Sequence, residues 1–428
     1  MSLQRLLYNM LYPIALLGAR VSSLFLPKMR EAFAGRSGYR ERWDALRASS
    51  SLREATVWFH VASVGEFEQA RPVISAVRRS HPGIPVIVTF SSPSGYHFWK
   101  RREKAEGNEI HFVDYLPFDR AQSMRFCLDA ARPRLLVFVK FDLWPNLIWE
   151  ARARDIPVAL IDATLSPSSK RLSAAGRWFY QGLYGCLKPI LAISAEDAAR
   201  FAQSARGHGY ISVCGDTRFD RVMERWNARA RDVLPLPDDG ALTLIAGSTW
   251  PPDEARLLPA LTRLVREITT LRVVIVPHEP LPAHVSALRQ WAMEQGLSVR
   301  TTSETGADLS ARVVIVDTVG VLAEAYAHAH VAYVGGAFST GVHSVIEPAI
   351  AGLPVVFGPR HDNSFEAGKL IEHGAATSVG NEEEVYLALR RYLTDESSRR
   401  AAGSAARTYV KSQLGATEKC MAALSAYL

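Results

Sequence analysis

Gly335–Pro359 reads GGAFSTGVHSVIEPAIAGLPVVFGP and follows the apolar run Val331–Val334. The pattern predicts a buried strand, a glycine turn, a helix that starts at His343 and carries Glu347, and a second strand at Val355–Phe357. Each part suits one piece of a sugar nucleotide. Glycines such as Gly336 let backbone N–H groups approach a phosphate, a helix N-terminus favours its charge, and a carboxylate one turn along accepts from a ribose diol. His343 and Glu347 are four residues apart and share a face of the expected helix. A histidine there can donate to phosphate, although a lone histidine is more often structural.

Outward from this segment, short Val/Ile/Leu-rich runs alternate with longer helical patterns. They fall at Leu242–Ala246, Arg272–Val276 and Val313–Val316 in the same half, and at Thr56–Val61, Val86–Phe90, Leu135–Val139, Val158–Ile161, Ile190–Ile193 and Ile211–Cys214 before it. Such alternation predicts an α/β chain with parallel sheets covered by helices. A break at Val233–Gly240, VLPLPDDG, separates two Rossmann-like halves. The expected domains are an anchoring segment at 1–48, a first Rossmann-like domain at 49–232 and a second at 233–428, the last helix being a candidate to pack back on the first. Ligands of open sheets bind beyond the carboxyl ends of the strands, so a cleft between the halves is the expected site.

At 428 residues the chain is too long for one hydrophobic core, and 48% hydrophobic with 22% charged residues is a globular composition. Cys127, Cys186, Cys214 and Cys420 are far apart in sequence and suggest neither a disulfide framework nor a zinc site. The formal charge is +7, with a cluster at Lys28, Arg30, Arg36, Arg40, Arg42 and Arg47 that suits an anionic membrane surface. Just before it, Leu6–Leu26 is nearly long enough to span a bilayer, but Asn9, Pro13, Gly18 and Arg20 interrupt it. Tyr8, Tyr12 and Phe25 with flanking arginines fit an interfacial helix equally well, and the bland alternative is an amphipathic core helix. The basic residues after the apolar stretch place the catalytic body on the cytoplasmic side.

Several polar loops end the expected strands. In His60–Pro72, HVASVGEFEQARP, Glu66 is either half of a capping box with Ser63 or a general base at the cleft mouth. In Lys140–Asn146, KFDLWPN, Asp142 and Asn146 read as helix caps, whereas Lys140 at the end of a buried strand calls for an anionic partner. Arg218 of GDTRFD, Gly215–Asp220, can fork onto a phosphate or carboxylate or pair with Asp220. Gly247, Ser248 and Thr249 offer amides and hydroxyls to a phosphate, or a plain N-cap. Pro277–His278–Glu279 and Asp317–Gly320 are ordinary turns singly, but such loops ending successive strands of one sheet make a better signal.

Absences narrow the chemistry. Gly336–Gly341 has P-loop spacing, yet Val342 stands where lysine is needed. No D-x-D pair and no H-E-x-x-H occurs, so neither a metal-bound diphosphate nor a zinc hydrolase has obvious ligands.

Taken in order, the apolar N-terminus ending in GYRERW, HVASVGEFEQARP, YLPFD at Tyr115–Asp119, LWPN, GDTRFD, GSTW, DTVG and the segment quoted first resemble the 3-deoxy-D-manno-octulosonic acid (Kdo) transferase family over nearly the whole chain. The resemblance implies a GT-B fold and inverting, metal-independent transfer of Kdo from CMP-Kdo to a lipid A precursor, lipid IVA. It implies the inner membrane as location, catalytic domains on its cytoplasmic side, with no cofactor and no nucleic acid. Glu66 resembles the family's general base, Lys140 and Arg218 fall at positions that stabilise the transition state, and Pro277, His278, Val319–Gly320–Val321 and Ser344–Val345–Ile346–Glu347 match CMP-binding loops, Glu347 as the ribose ligand. The chain departs from the family in places. Many members carry an acidic residue where Lys140 stands, a glutamate at Val321 and an asparagine at Ser344, and His278 replaces a frequent arginine. A lysine at 140 can hold the sugar carboxylate rather than the leaving group. Two rivals remain at this level: another GT-B enzyme using a UDP-sugar, and a non-catalytic membrane-bound sugar-nucleotide sensor.

Overall fold

Short continuous runs of mostly branched apolar residues build two all-parallel sheets, and this computed structural model describes residues 2–49, 55–106, 109–205, 210–228, 234–237, 239–304 and 309–428. The chain divides into two units, Met1–Arg221 with Leu414–Leu428, and Val222–Gln413. The expected boundary at 232/233 lies outside the described residues, as do Val233 and Asp238 of the VLPLPDDG break.

Unit 1 holds β1 (Thr56–Val61), β2 (Val86–Phe90), β3 (Phe112–Tyr115), β4 (Pro133–Val139), β5 (Val158–Ala163), β6 (Ile190–Ala192) and β7 (Ile211–Val213), ordered β3-β2-β1-β4-β5-β6-β7. Its central strands β1, β2 and β5 are buried on both faces, which is why they read as near-continuous apolar runs. Trp58, Leu136, Phe138 and Leu160 point into one core, and Phe59, Val137, Val139 and Ile161 into the other. The last helix, Ala416–Leu424, belongs to this unit and adds Cys420 and Leu424 to the second core.

Unit 2 holds β8 (Leu242–Thr249), β9 (Leu271–Pro277), β10 (Val299–Thr301), β11 (Val313–Ile315), β12 (Val331–Val334), β13 (Val355–Phe357) and β14 (Ala376–Ser378), ordered β10-β11-β9-β8-β12-β13-β14. Leu244, Val273, Ile275 and Tyr333 fill one face, and Ile245, Val274, Val314 and Ala332 the other.

The N-terminal helix Leu3–Ser22 lies against unit 1 by its polar and aromatic stripe. Tyr8 donates to the Asp119 carboxylate at 2.8 Å, the Asp119 N–H donates to the Tyr12 hydroxyl at 3.0 Å, Asn9 and Asn146 exchange side-chain hydrogen bonds, and Arg5 pairs with Glu150. The opposite stripe, Leu3, Leu7, Met10, Ile14, Leu17 and Val21, is exposed. Among the described residues no helix is long and apolar enough to cross a membrane.

Candidate active site

Each sheet reverses its strand order at its first strand. In unit 1, β1 pairs with β2 on one side and β4 on the other. In unit 2, β8 pairs with β9 and β12. Loops leaving neighbouring strands at such a point diverge and open a crevice at the carboxyl end of the sheet.

Glu66 stands at the crevice of unit 1. Ser63 caps the helix Val64–Ser80, accepting the Glu66 N–H at 3.3 Å, and Glu66 Oε2 accepts the N–H of Ala62 rather than that of Ser63 as an ordinary capping box would have it. The side chain thus completes the helix start with one oxygen, while Oε1 has no partner among the described residues. Glu66 is only 4% exposed. Burial raises its pKa to about 7, with Asp142 adding to the rise and the Ala62 amide and Lys140 opposing it.

Lys140 comes from the loop after β4. Its backbone sits at φ 65, a left-handed conformation that costs a residue with a Cβ about 1–2 kcal/mol. The expected anionic partner is not supplied by the protein: among the described residues the ammonium makes no ion pair and lies 5.5 Å from the Phe141 ring centroid. Asp142 and Asn146 do not cap the following helix either. Asp119 caps it from another loop, accepting from the N–H groups of Asn146 and Leu147 at 2.9 and 3.1 Å. Asp142 instead accepts from Ser91 at 2.7 Å and the Trp144 indole at 3.0 Å, with His60 Nε2 at 3.6 Å. Burial pushes its carboxyl upward, but His60, Trp144 and Ser91 outweigh that and hold it down to about 2.

Arg218 does not pair with Asp220. Its Nε and Nη2 donate to Asp216 Oδ2 at 2.8 and 2.6 Å, and its own N–H donates to Oδ1 at 2.9 Å. Asp220 is occupied by the last helix, accepting the N–H groups of Gly415 and Thr417 and the Thr417 hydroxyl.

Several expectations for unit 2 need correction. The helix does not start at His343; it runs from Ile346 to Ala351, so His343 and Glu347 share no helix face. Pro348 is the reason, having no N–H to give to the Ser344 carbonyl that a longer helix would present. Nor is the Gly336 amide open to a phosphate, because it donates to Asp253 Oδ2 at 2.8 Å. Gly336 is needed for its φ of 93 and for space, since a Cβ would lie 2.3 Å from the Gly341 carbonyl oxygen. The Thr249 hydroxyl is likewise taken, donating to Glu254 at 2.7 Å, and the N-cap position is Trp250.

The groups that remain available lie close to those expected. The N–H groups of Ser344 and Val345 and the hydroxyl of Ser248 have no acceptor among the described residues. Glu347 accepts from the Ser344 hydroxyl through Oε2. Val319 is exposed, and Gly320 beside it takes φ 95 with open space around it, so the Val319–Val321 turn presents backbone rather than a charged side chain. Pro277 ends β9, and the next ring, His278, stacks with both Trp250 and His343, at centroid distances of 4.7 and 4.3 Å. The Trp250 indole donates to His343 Nε2 at 3.0 Å, which puts the His343 ring proton on Nδ1. Burial and His278 lower the His343 pKa to about 4, so this ring is a neutral donor at physiological pH. Trp250, Asp253 and His60 were not singled out from the sequence, though Trp250 lies within GSTW and His60 opens HVASVGE. Among the described residues no cluster of three or more His, Cys, Asp or Glu side chains is placed to hold a metal ion.

A family model described as 3-deoxy-D-manno-octulosonic-acid transferase (kdotransferase) matches residues 36–221, which include Glu66, Lys140 and Arg218. The 3-deoxy-D-manno-octulosonic acid transferase of Bordetella pertussis is 29% identical over 398 residues, covering 87% of this chain and 88% of its own. That of Haemophilus influenzae is 24% identical and covers 97% of this chain and 96% of its own. The chain belongs to the Kdo transferase family. Among solved structures, this Kdo transferase is similar to UDP-GlcNAc 2-epimerase from Neisseria meningitidis bound to UDP-GlcNAc, with TM-score 0.62 at 14% identity over 87% of this chain and 100% of that one. A glycosyltransferase from Rickettsia africae ESF-5 gives TM-score 0.56 at 10% identity over 88% and 98%. At such identities the likeness speaks for the fold alone. The Kdo transferase is thus a GT-B glycosyltransferase, and its reaction belongs to lipopolysaccharide biosynthesis.

Proposed function

We propose that this Kdo transferase takes Kdo from CMP-Kdo and attaches it, with inversion, to a lipid A precursor of the lipid IVA type. The observation that carries the mechanism is Glu66, a buried carboxyl with one unengaged oxygen and a pKa raised to about 7. Kdo bears a carboxylate on its anomeric carbon. Breaking the bond to CMP therefore builds oxocarbenium character beside one negative charge and leaves another on the phosphate. Glu66 takes the proton of a glucosamine primary hydroxyl as that oxygen forms the new bond on the opposite face. Lys140, which has no ion pair among the described residues, holds the sugar carboxylate, and Arg218 faces the charge that develops on the leaving group.

In unit 2 the phosphate is received by the N–H groups of Ser344 and Val345, the Ser248 hydroxyl and His343 Nδ1, with His278 beside it. Glu347 accepts from the ribose diol through Oε1, and Val319–Val321 lines the base with backbone. The exposed stripe of Leu3–Ser22 lies on the inner membrane, its basic neighbours on the cytoplasmic side, where the acceptor's acyl chains are embedded.

The test is incubation with freshly generated CMP-Kdo and a tetra-acylated lipid A precursor, followed by mass spectrometry of the lipid. A gain of whole Kdo units is expected, with Glu66→Ala slower by about 100- to 10,000-fold. Transfer is expected to persist in excess chelator. No gain with the wild-type protein, in the presence of measured CMP binding, rejects this donor and acceptor pair.

A further inference from the structure

Beside the N-terminal helix, unit 1 carries a groove of about 870 Å³ between that helix, the helix Pro27–Arg36 and the Pro117–Ser123 segment. Leu16, Leu17, Leu24, Phe33 and Phe118 form its apolar wall, and Arg20, Arg30, Arg36, Arg40 and Arg120 its polar one. No carboxylate lines it, and none of the five arginines makes an ion pair among the described residues. Arg36 at the floor is 7% exposed and, among the described residues, donates only to carbonyl oxygens, those of Leu116, Ala32 and Ser91, at 2.7 to 2.8 Å. Arg20 and Arg40 are held over the Phe33 and Phe126 rings. Five cations converging on one groove repel one another, and guanidinium groups are suited to pair with phosphate.

We propose that this groove binds one anionic membrane phospholipid, an acyl chain along Leu16, Leu17, Leu24 and Phe33 and the phosphate among the arginines. The proposal rests on the membrane-surface reading of the N-terminal helix given above. Two observations select the occupant. Leu17 and Leu24, which line the groove, are 64% and 72% exposed, so its lip is continuous with the stripe that meets the bilayer. Its volume is that of an ordinary small-molecule pocket, about 300–1,000 Å³, which accommodates one phosphate and part of one or two chains rather than a bis-phosphorylated tetra-acyl disaccharide.

Native mass spectrometry of the full chain, released from neutral detergent after equilibration with phosphatidylglycerol or phosphatidylcholine, tests this directly. A single phosphatidylglycerol adduct is expected, favoured over phosphatidylcholine by about tenfold or more. It should be lost in the Arg30→Glu/Arg120→Glu double variant and kept in Arg47→Glu, a reversal outside the groove. All four arginines of the rim are exposed, so unchanged circular dichroism and melting confirm that the double variant is folded. Equal loss in both charge variants, equal uptake of the two lipids, or several adducts without a preferred first one would overturn the proposal. So would mole-for-mole displacement by the tetra-acylated precursor, which would give the groove to the acceptor. The adduct is read without CMP-Kdo or turnover. Failed transfer with the adduct retained therefore counts against the transferase mechanism and leaves this site standing.

Discussion

A single carboxyl, Glu66, serves both the helix it starts and the reaction proposed for it, and the two roles use different oxygens. Oε2 closes the first turn by accepting the Ala62 N–H, and Oε1 is left to take a proton. Because burial raises the folded-state pKa from 4.5 to about 7, the folded protein binds this proton more tightly than the unfolded chain does. The stability associated with the raised value is fully present below the unfolded pKa and is lost as pH rises through 7. Replacing the carboxyl by an amide that keeps one acceptor removes this dependence. Glu66→Gln should therefore gain on the wild type between pH 5 and 8 by up to about 3 kcal/mol, read by urea unfolding at both pH values. A difference that stays constant with pH would show that the carboxyl is not protonated in the folded state. The same group gives kcat/KM an acidic limb near 7, rising with pH, that the variant lacks. Little of this electrostatic setting was legible in the sequence. Ser63 and Glu66 at capping distance announce the turn, but Asp142 and Lys140 act on it from the loop after β4, far away in sequence. For Arg218 the sequence offers a ligand anion or Asp220, two residues on, whereas the tight turn after β7 brings Asp216 onto the same residue's amide and guanidinium.

Among elements, the sequence pattern located the central strands because a strand buried on both faces must be apolar throughout. It missed β3, β10 and β14, whose sequences FVDY, VRT and ATS are short and partly polar. Each is an edge strand, where pairing on one side rather than intrinsic preference decides the conformation. The helix after Gly341 begins at Ile346, three residues later than the apolar spacing implies, because Pro348 has no N–H for the Ser344 carbonyl. The N-terminal helix shows the reverse case. Its apolar spacing is plain, but the sequence does not say which stripe faces the protein, and Tyr8, Asn9 and Tyr12 take the inner position because Asp119 and Asn146 meet their polar groups. The outer apolar stripe therefore contributes little to folding. Leu7→Glu with Ile14→Glu should leave the unfolding free energy within about 0.5 kcal/mol of wild type. Their affinity for anionic vesicles should fall by about 100-fold in a flotation assay. A large loss of stability without loss of flotation would mean that this stripe packs on protein instead.

At the scale of the whole molecule, the chain leaves unit 1 at Arg221 and comes back to it at Leu414, so unit 1 cannot complete its core until the last fifteen residues have been made. Asp220 marks the place of return, at the end of the outgoing path, and binds the incoming helix by three hydrogen bonds to Gly415 and Thr417. Beyond that clamp, Cys420 and Leu424 are fully buried with Val61, Phe67 and Ile161. Removing residues 414–428 deletes both apolar side chains and leaves the Asp220 carboxylate without its donors. By the cost of large-to-small core changes, unit 1 should lose about 5 kcal/mol, and Asp220→Ala alone about 2 kcal/mol. Hydrogen exchange is the suitable measurement, since it resolves β1, β4 and the helix Val64–Ser80 separately from the rest of the chain. Faster exchange in those elements, graded from Asp220→Ala to the truncation, is expected. Because the Val64–Ser80 helix carries Glu66 in its first turn, the graded series should also lower transfer in the same order. Unchanged exchange there after truncation would show that the returning helix is a covering rather than a part of the unit 1 core.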